Sequence, residues 1–197
     1  MRTPSIAVLA SGRGSNLEAL LDARGRGDLS WPVGLVVSNN SGAGAMELAR
    51  RRGVPTAHIS GKTHEDPGAA LLELLEAHGA EVVVLAGYMK LLDARIVGAY
   101  RGRIVNIHPA PLPRFGGPGM YGMAVHEAVL ASGVERTGPT VHLVDEVYDR
   151  GELLAHTPVP VEPGDDATRL ADRVLRAEHD LLWRVLEARF CGPEHHR

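Results

Sequence analysis

The chain has 197 residues, 44% of them hydrophobic and 23% charged, with a formal net charge of -3. That is enough chain for one α/β domain with a packed core, and it argues against disorder and against two ordinary domains plus a linker. The slightly acidic balance argues against a broad nucleic-acid surface, and an aromatic share of 4% leaves few platforms for stacking bases.

The first apolar run, residues 6–10, is followed by Ser-Gly-Arg-Gly-Ser-Asn and then by a helical pattern, which reads as strand, loop and helix. The run ends in a glycine turn and not in a cleavage site, so a signal peptide is disfavoured. No apolar run approaches the ~18 residues that cross a bilayer, and a cytoplasmic location is expected. Residues 33–37 form the next strand, and a helix over 43–52 stops at Gly53. A weaker strand covers 55–59, a Leu-rich helix 69–78, and a strand apolar on both faces 81–86. Residues 103–107 are a fifth strand, and a Pro- and Gly-rich stretch follows. A cis bond before Pro113 is expected in that stretch. A helix over 124–132, strands over 139–144 and 153–161, and a long amphipathic helix over 168–189 complete the chain. Cys191 is the single cysteine, so an internal disulfide is excluded and a packing role is expected.

Strands alternating with helices predict a doubly wound, mostly parallel α/β sheet with helices on both faces, as one domain over 1–197. The second half should complete the same sheet with an antiparallel pair. Ligands of such sheets lie beyond the carboxyl ends of the strands. The loops that matter are therefore 11–16, 38–42, 87–92 and 106–121.

Three groups in this pattern can carry chemistry. The 11–16 loop places glycines and a helix N-terminus where backbone N–H groups can hold an anion, with Ser15 and Asn16 as added donors. It is neither a phosphate-binding GxxxxGK[ST] loop nor a dinucleotide GxGxxG loop. Asn106 and His108 stand two residues apart on an extended segment, so both side chains point to one side. Two such donors at a strand end can hold a developing oxyanion. In the acidic turn of residues 145–151, one carboxylate can pair with His108 and favour its charged form. Asp145 and Asp149 are both candidates on this reading. The ten histidines are scattered, and no metal is expected.

The runs SGRGSNLEALL, VSNN, LAGYMKLL, IVNIHPAPLPRF, DEVYDRGELLA and RVLRAEHDLL occur in that order. Together they resemble the folate-dependent formyltransferases over nearly the whole chain. Within that superfamily, the SGxGSN loop and the late AEH are similar to phosphoribosylglycinamide formyltransferases. The resemblance implies transfer of a formyl group from 10-formyltetrahydrofolate, as co-substrate, to the amine of glycinamide ribonucleotide. It implies that Asn106 and His108 hold the oxyanion, and it selects Asp149 as the acid that keeps His108 protonated. It places the ribonucleotide on Gly14, Ser15, Asn16, Leu17 and Glu18, with Glu178 at the ribose. It places the folate against His64, Met89, Lys90, Leu91, Leu92 and Asn106, and against Asp145, Glu146, Val147, Tyr148 and Asp149. Small-molecule partners are implied, without nucleic acid or membrane, for a monomer or homodimer.

Two stretches depart from the family pattern. The loop FGGPGMYGM is longer and richer in glycine than the family's PGxH-type loop, and His64 stands near where some members carry an Arg for the folate tail. Other readings are a formyltransferase acting on a different amine and a nucleotide-binding module without activity. The presence of Asn106, His108 and Asp149 together speaks against the second.

Overall fold

The computed structural model describes residues 4–146 and 149–191. The first half runs β1 (Ser5–Leu9), α1 (Ser15–Arg26), β2 (Val33–Ser38), α2 (Gly44–Arg51), β3 (Thr56–His58), α3 (Pro67–Ala77) and β4 (Ala80–Leu85). The second half runs α4 (Ala94–Ala99), β5 (Ile104–His108), α5 (Met123–Ala131), β6 (Arg136–Thr137), β7 (Thr140–Leu143), β8 (Leu153–His156), β9 (Val159–Pro160) and α6 (Ala167–Leu186). A π-helical turn, Glu187–Cys191, ends the described chain, and Cys191 is buried in it.

Seven strands form one sheet in the order β3-β2-β1-β4-β5-β7-β8. The first five positions are parallel, whereas β7 pairs antiparallel with β5 and β8 antiparallel with β7. The expected doubly wound sheet and its antiparallel addition are both present. The chain winds outward from β1 in one direction and from β4 in the other, so the crevice between these strands is the switch point.

Alternate residues of the central strands feed two cores. Ile6, Val8, Val82, Val84 and Val105 face α1, α2 and α6, where Leu17, Leu20, Leu48 and Leu182 meet them. Ala7, Leu9, Val83, Leu85 and Ile104 face α3 and α4, where Leu71, Leu75 and Ile96 meet them. Both faces of β1 are thus covered, which explains why its sequence is apolar without alternation. Burying one such Leu or Val contributes about 1.5–3 kcal/mol. Leu75 is fully buried, so Leu75→Ala costs about 2–5 kcal/mol. A third cluster, with Phe115, Val125, Val129, Leu170 and Val174, fastens α5 and the preceding loop to α6.

Two elements differ from the sequence expectation. The strand expected over 153–161 breaks after His156, and Val159 and Pro160 pair instead with β6 in a separate ribbon. Pro158 has no N–H to offer a ladder, which ends β8 there. The helix α4 was not expected; the Asp93 side chain caps it by accepting from the Arg95 N–H. The Leu112–Pro113 bond is cis, in line with expectation.

Candidate active site

The loops that leave β1, β2 and β4 are joined through Ser11. Its hydroxyl donates to Asn39 Oδ1 and accepts from the Met89 N–H at 2.9 Å. Its own N–H donates to the Gly87 carbonyl at 3.1 Å. One small residue therefore sets the spacing of three loops around the switch point.

The first loop is shaped by Gly14, which takes φ 90 at the N-cap of α1. A Cβ there would lie 2.7 Å from Ala45 Cα, so the start of α1 approaches the start of α2 more closely than any side chain permits. Ser15 opens the helix and lines a groove of about 350 Å³ with Glu18, Arg176 and His179. Asn16 is buried and donates from Nδ2 to Glu178 Oε2 at 2.7 Å. Its Oδ1 has no partner among the described residues. Burial pushes the Glu178 carboxyl up to about 7, and the Asn16 bond only partly opposes this. Leu17 is wholly buried in the core, so its side chain is closed to a ligand and only its backbone N–H faces the helix start. Glu18 is exposed and lies 3.9 Å from Arg52.

At the other end of the crevice, β5 delivers Asn106 and His108. Asn106 lies opposite His142 in the antiparallel pairing of β5 with β7. His142 Nδ1 is 2.8 Å from the Leu143 carbonyl, so it carries the proton there. Nε2 lies 3.0 Å from Asn106 Nδ2; in the neutral ring it accepts that bond, and only when protonated can it donate towards a carboxylate. The same Nε2 lies 3.5 Å from Asp149 Oδ1. Asp149 Oδ2 accepts the Gly117 N–H at 2.8 Å. His142 thus connects the oxyanion candidate Asn106 to the acid candidate Asp149. Sequence reasoning missed it; the signal was a histidine inside the apolar run 139–144, which gains meaning only from the cross-strand register.

His108 is buried, and its Nε2–H donates to the Phe115 carbonyl at 2.7 Å. Its pKa lies below the ordinary imidazole value, because burial outweighs the charge of Asp149 and the Phe115 bond. The expectation that Asp149 keeps His108 protonated is therefore not met here: desolvation of the cation is the larger effect. Burial raises the Asp149 carboxyl, but His142, the Gly117 N–H and the nearby imidazoles bring it below its ordinary value. Asp149 also holds φ 53, a left-handed conformation. His126 of α5 is buried near His108, and its Nδ1 has no partner among the described residues.

The expected folate residues fall into two sets. Lys90, Leu91 and Leu92 line a cavity of about 970 Å³ together with His58, Lys62 and Tyr88. That volume is at the upper end of the range for small-molecule sites. Met89 is exposed beside it, and Asp145 is exposed on the far loop. His64 bonds instead to Thr63 Oγ1 at 2.9 Å and is not among the lining residues. Glu146 faces solvent 3.5 Å from Arg101. Val147 and Tyr148 lie outside the described residues.

Asn106 and His108 at the end of β5, with Asp149 brought near them from the loop after β7, form a polar cluster beyond the carboxyl ends of a doubly wound sheet. The profile of the Formyl transferase family matches residues 4–186, and the chain belongs to that family. It is 42% identical over 191 residues to a chloroplastic phosphoribosylglycinamide formyltransferase of Vigna unguiculata, covering 95% of this chain and 61% of that protein. It is 37% identical over 185 residues to the trifunctional purine biosynthetic protein adenosine-3 of Homo sapiens, covering 92% of this chain and 18% of that protein. This chain therefore spans about three fifths of the plant relative and under a fifth of the human one. Among solved structures, glycinamide ribonucleotide transformylase 1 of Geobacillus kaustophilus superposes with a TM-score of 0.87 at 37% identity, over 95% of this chain and 98% of that one. Phosphoribosylglycinamide formyltransferase of Bacillus halodurans superposes with a TM-score of 0.88 at 32% identity, over 98% of this chain and all of that one.

Proposed function

We propose that this chain transfers the formyl group of 10-formyltetrahydrofolate to the amine of glycinamide ribonucleotide. The observation that carries the reading is that Asn106 and His108 both stand at the end of β5, with Asp149 held near them by His142 and the Gly117 N–H. The names of the relatives supply the substrates.

The amine attacks the formyl carbon, and the carbonyl oxygen takes up negative charge. Asn106 Nδ2 donates to that oxygen. The Phe115 carbonyl already occupies the Nε2–H of His108, so a second donor appears when Nδ1 is protonated. Burial disfavours that proton in the free protein, whereas Asp149 and the oxyanion both favour it. Nδ1 takes that proton from solvent as the oxyanion forms and returns it on collapse, so the imidazolium exists chiefly in the intermediate, where it lowers the barrier and not merely the dissociation constant. Asp149, ionised at neutral pH, receives the proton lost by the attacking amine. Collapse of the intermediate breaks the bond from the formyl carbon to the folate nitrogen, which takes up that proton. The phosphate lies on the α1 N-terminus at Gly14, Ser15 and Asn16, where free N–H groups and the helix dipole favour an anion. Glu178 receives the ribose hydroxyls, and the folate occupies the cavity at Lys90–Leu92. A cytoplasmic setting belongs to the same proposal and is supported by a sequence with one cysteine.

The direct test incubates the purified chain with both substrates and follows formylated ribonucleotide and free tetrahydrofolate. Stoichiometric appearance of the two is expected. A folded protein that releases neither would sink the proposal.

A further inference from the structure

Residues 115–117 contact both candidate catalytic groups without belonging to the strand that carries His108 or the loop that carries Asp149. The Phe115 carbonyl accepts from His108, and the Gly117 N–H donates to Asp149 Oδ2. Gly116 lies between them. A Cβ at residue 116 would stand 2.4 Å from Leu112 Cδ2, 2.9 Å from Asp149 Cβ and 3.2 Å from Asp149 Oδ2. The loop therefore touches the Asp149 side chain with bare backbone. On its other side, Asp149 meets His142 at 3.5 Å, and its own backbone is left-handed. Such a conformation in a non-glycine residue persists only where surrounding contacts hold it.

We infer that Phe115-Gly116-Gly117 is a positioning element for the transfer site, and that Gly116 is the residue on which it depends. Its missing side chain lets the loop come close enough for the Gly117 N–H to reach the carboxylate. One turn of chain then sets both the His108 ring and the Asp149 carboxylate, which have no direct hydrogen bond to each other. Gly116 is required for space and not for its φ, because its backbone is not in the left-handed region. This inference rests on the proposed formyl transfer for its catalytic meaning, although the geometry can be tested apart from it.

The test compares the full chain with Gly116→Ala, Gly116→Ala/Leu112→Val and Asp149→Asn. In Gly116→Ala, kcat is expected to fall on the order of 10²-fold, as for a catalytic group displaced by about 1 Å, with KM for both substrates changed far less. Leu112→Val removes the closest contacting atom but not the one on Asp149, so the double variant is expected to regain thermal stability and not kcat. Recovery of kcat in the double variant would show that packing on Leu112 was the whole effect, and it would overturn the inference. So would wild-type kcat in Gly116→Ala. The Gly117 amide proton, deshielded by its bond to a charged acceptor, is expected to move upfield in both Asp149→Asn and Gly116→Ala. An unmoved Gly117 resonance in these variants also overturns the inference, whatever the activity. If the wild-type chain transfers no formyl group while the resonance moves as expected, the functional reading fails and the positioning geometry stands.

Discussion

The two ends of the crevice each bury a carboxylate, and they treat it in opposite ways. Glu178 has one amide donor, Asn16, and its pKa rises to about 7. Asp149 has a backbone N–H, a histidine at 3.5 Å and a second imidazole nearby, and its pKa falls below the ordinary value. Desolvation acts on both. The number and charge of the donors decide which effect wins. The β5 end thus keeps an ionised base ready at neutral pH, whereas the β1 end holds a carboxyl that burial pushes towards its neutral form until a better donor arrives. Ribose hydroxyls would be such donors.

The largest break in this comparison is expected from His108→Ala. Loss of one oxyanion donor lowers kcat by roughly 10²–10³-fold, measurable by steady-state formyl transfer. Unchanged turnover would remove His108 from the mechanism. Asp149→Asn keeps an acceptor for Gly117 and removes the base, and a comparable fall in kcat with an intact fold by circular dichroism is expected. Unaltered activity there would return Asp145 to candidacy.

His142→Ala tests whether the β5 end acts as a connected set. It leaves Asn106 Nδ2, which is only half-buried, without its partner, and costs about 1 kcal/mol in denaturant unfolding. It also weakens the hold on Asp149, so kcat should fall, but less than in Asp149→Asn. A loss of stability with kcat unchanged would limit His142 to packing.

Glu178→Gln sharpens the other end. A carboxyl whose pKa rises on folding binds more protons folded than unfolded. Its penalty is therefore absent below its ordinary value and grows as pH rises from there towards about 7. Across that window the wild-type chain should lose roughly 2–3 kcal/mol from this group, and Glu178→Gln should show a flatter dependence of Tm on pH. Parallel curves for the two proteins would contradict the burial argument. The smallest effect belongs to Glu146→Ala, which removes an exposed 3.5 Å pair with Arg101. No measurable change in Tm is expected there.

Much of the architecture was legible because it depends on local pattern. Short apolar runs punctuated by glycine marked β1, β2 and β4, and the i, i+2 spacing put Asn106 and His108 on one side of β5 before any fold was known. Three things were not legible. The helix α4 is six residues long and depends on a cap from Asp93, a signal too short to separate from the preceding loop. The partner of Asn106 depends on the register of β5 against β7, which no spacing within either strand specifies. Leu17 belongs to the recognisable loop motif, yet its side chain turns into the core, because the helix places it on the face opposed to the sheet.

The sequence by itself determined the order of the elements, the switch-point location of the crevice and the residue types that meet there. Those follow from periodicity, turn chemistry and motif, which are local properties of the chain. Only the tertiary structure decided that His142 joins Asn106 to Asp149, that residues 115–117 reach both catalytic candidates, and that burial sets His108 against its own charge. Hydrogen-bond partners and desolvation depend on segments far apart in the chain, and folding alone brings those segments together.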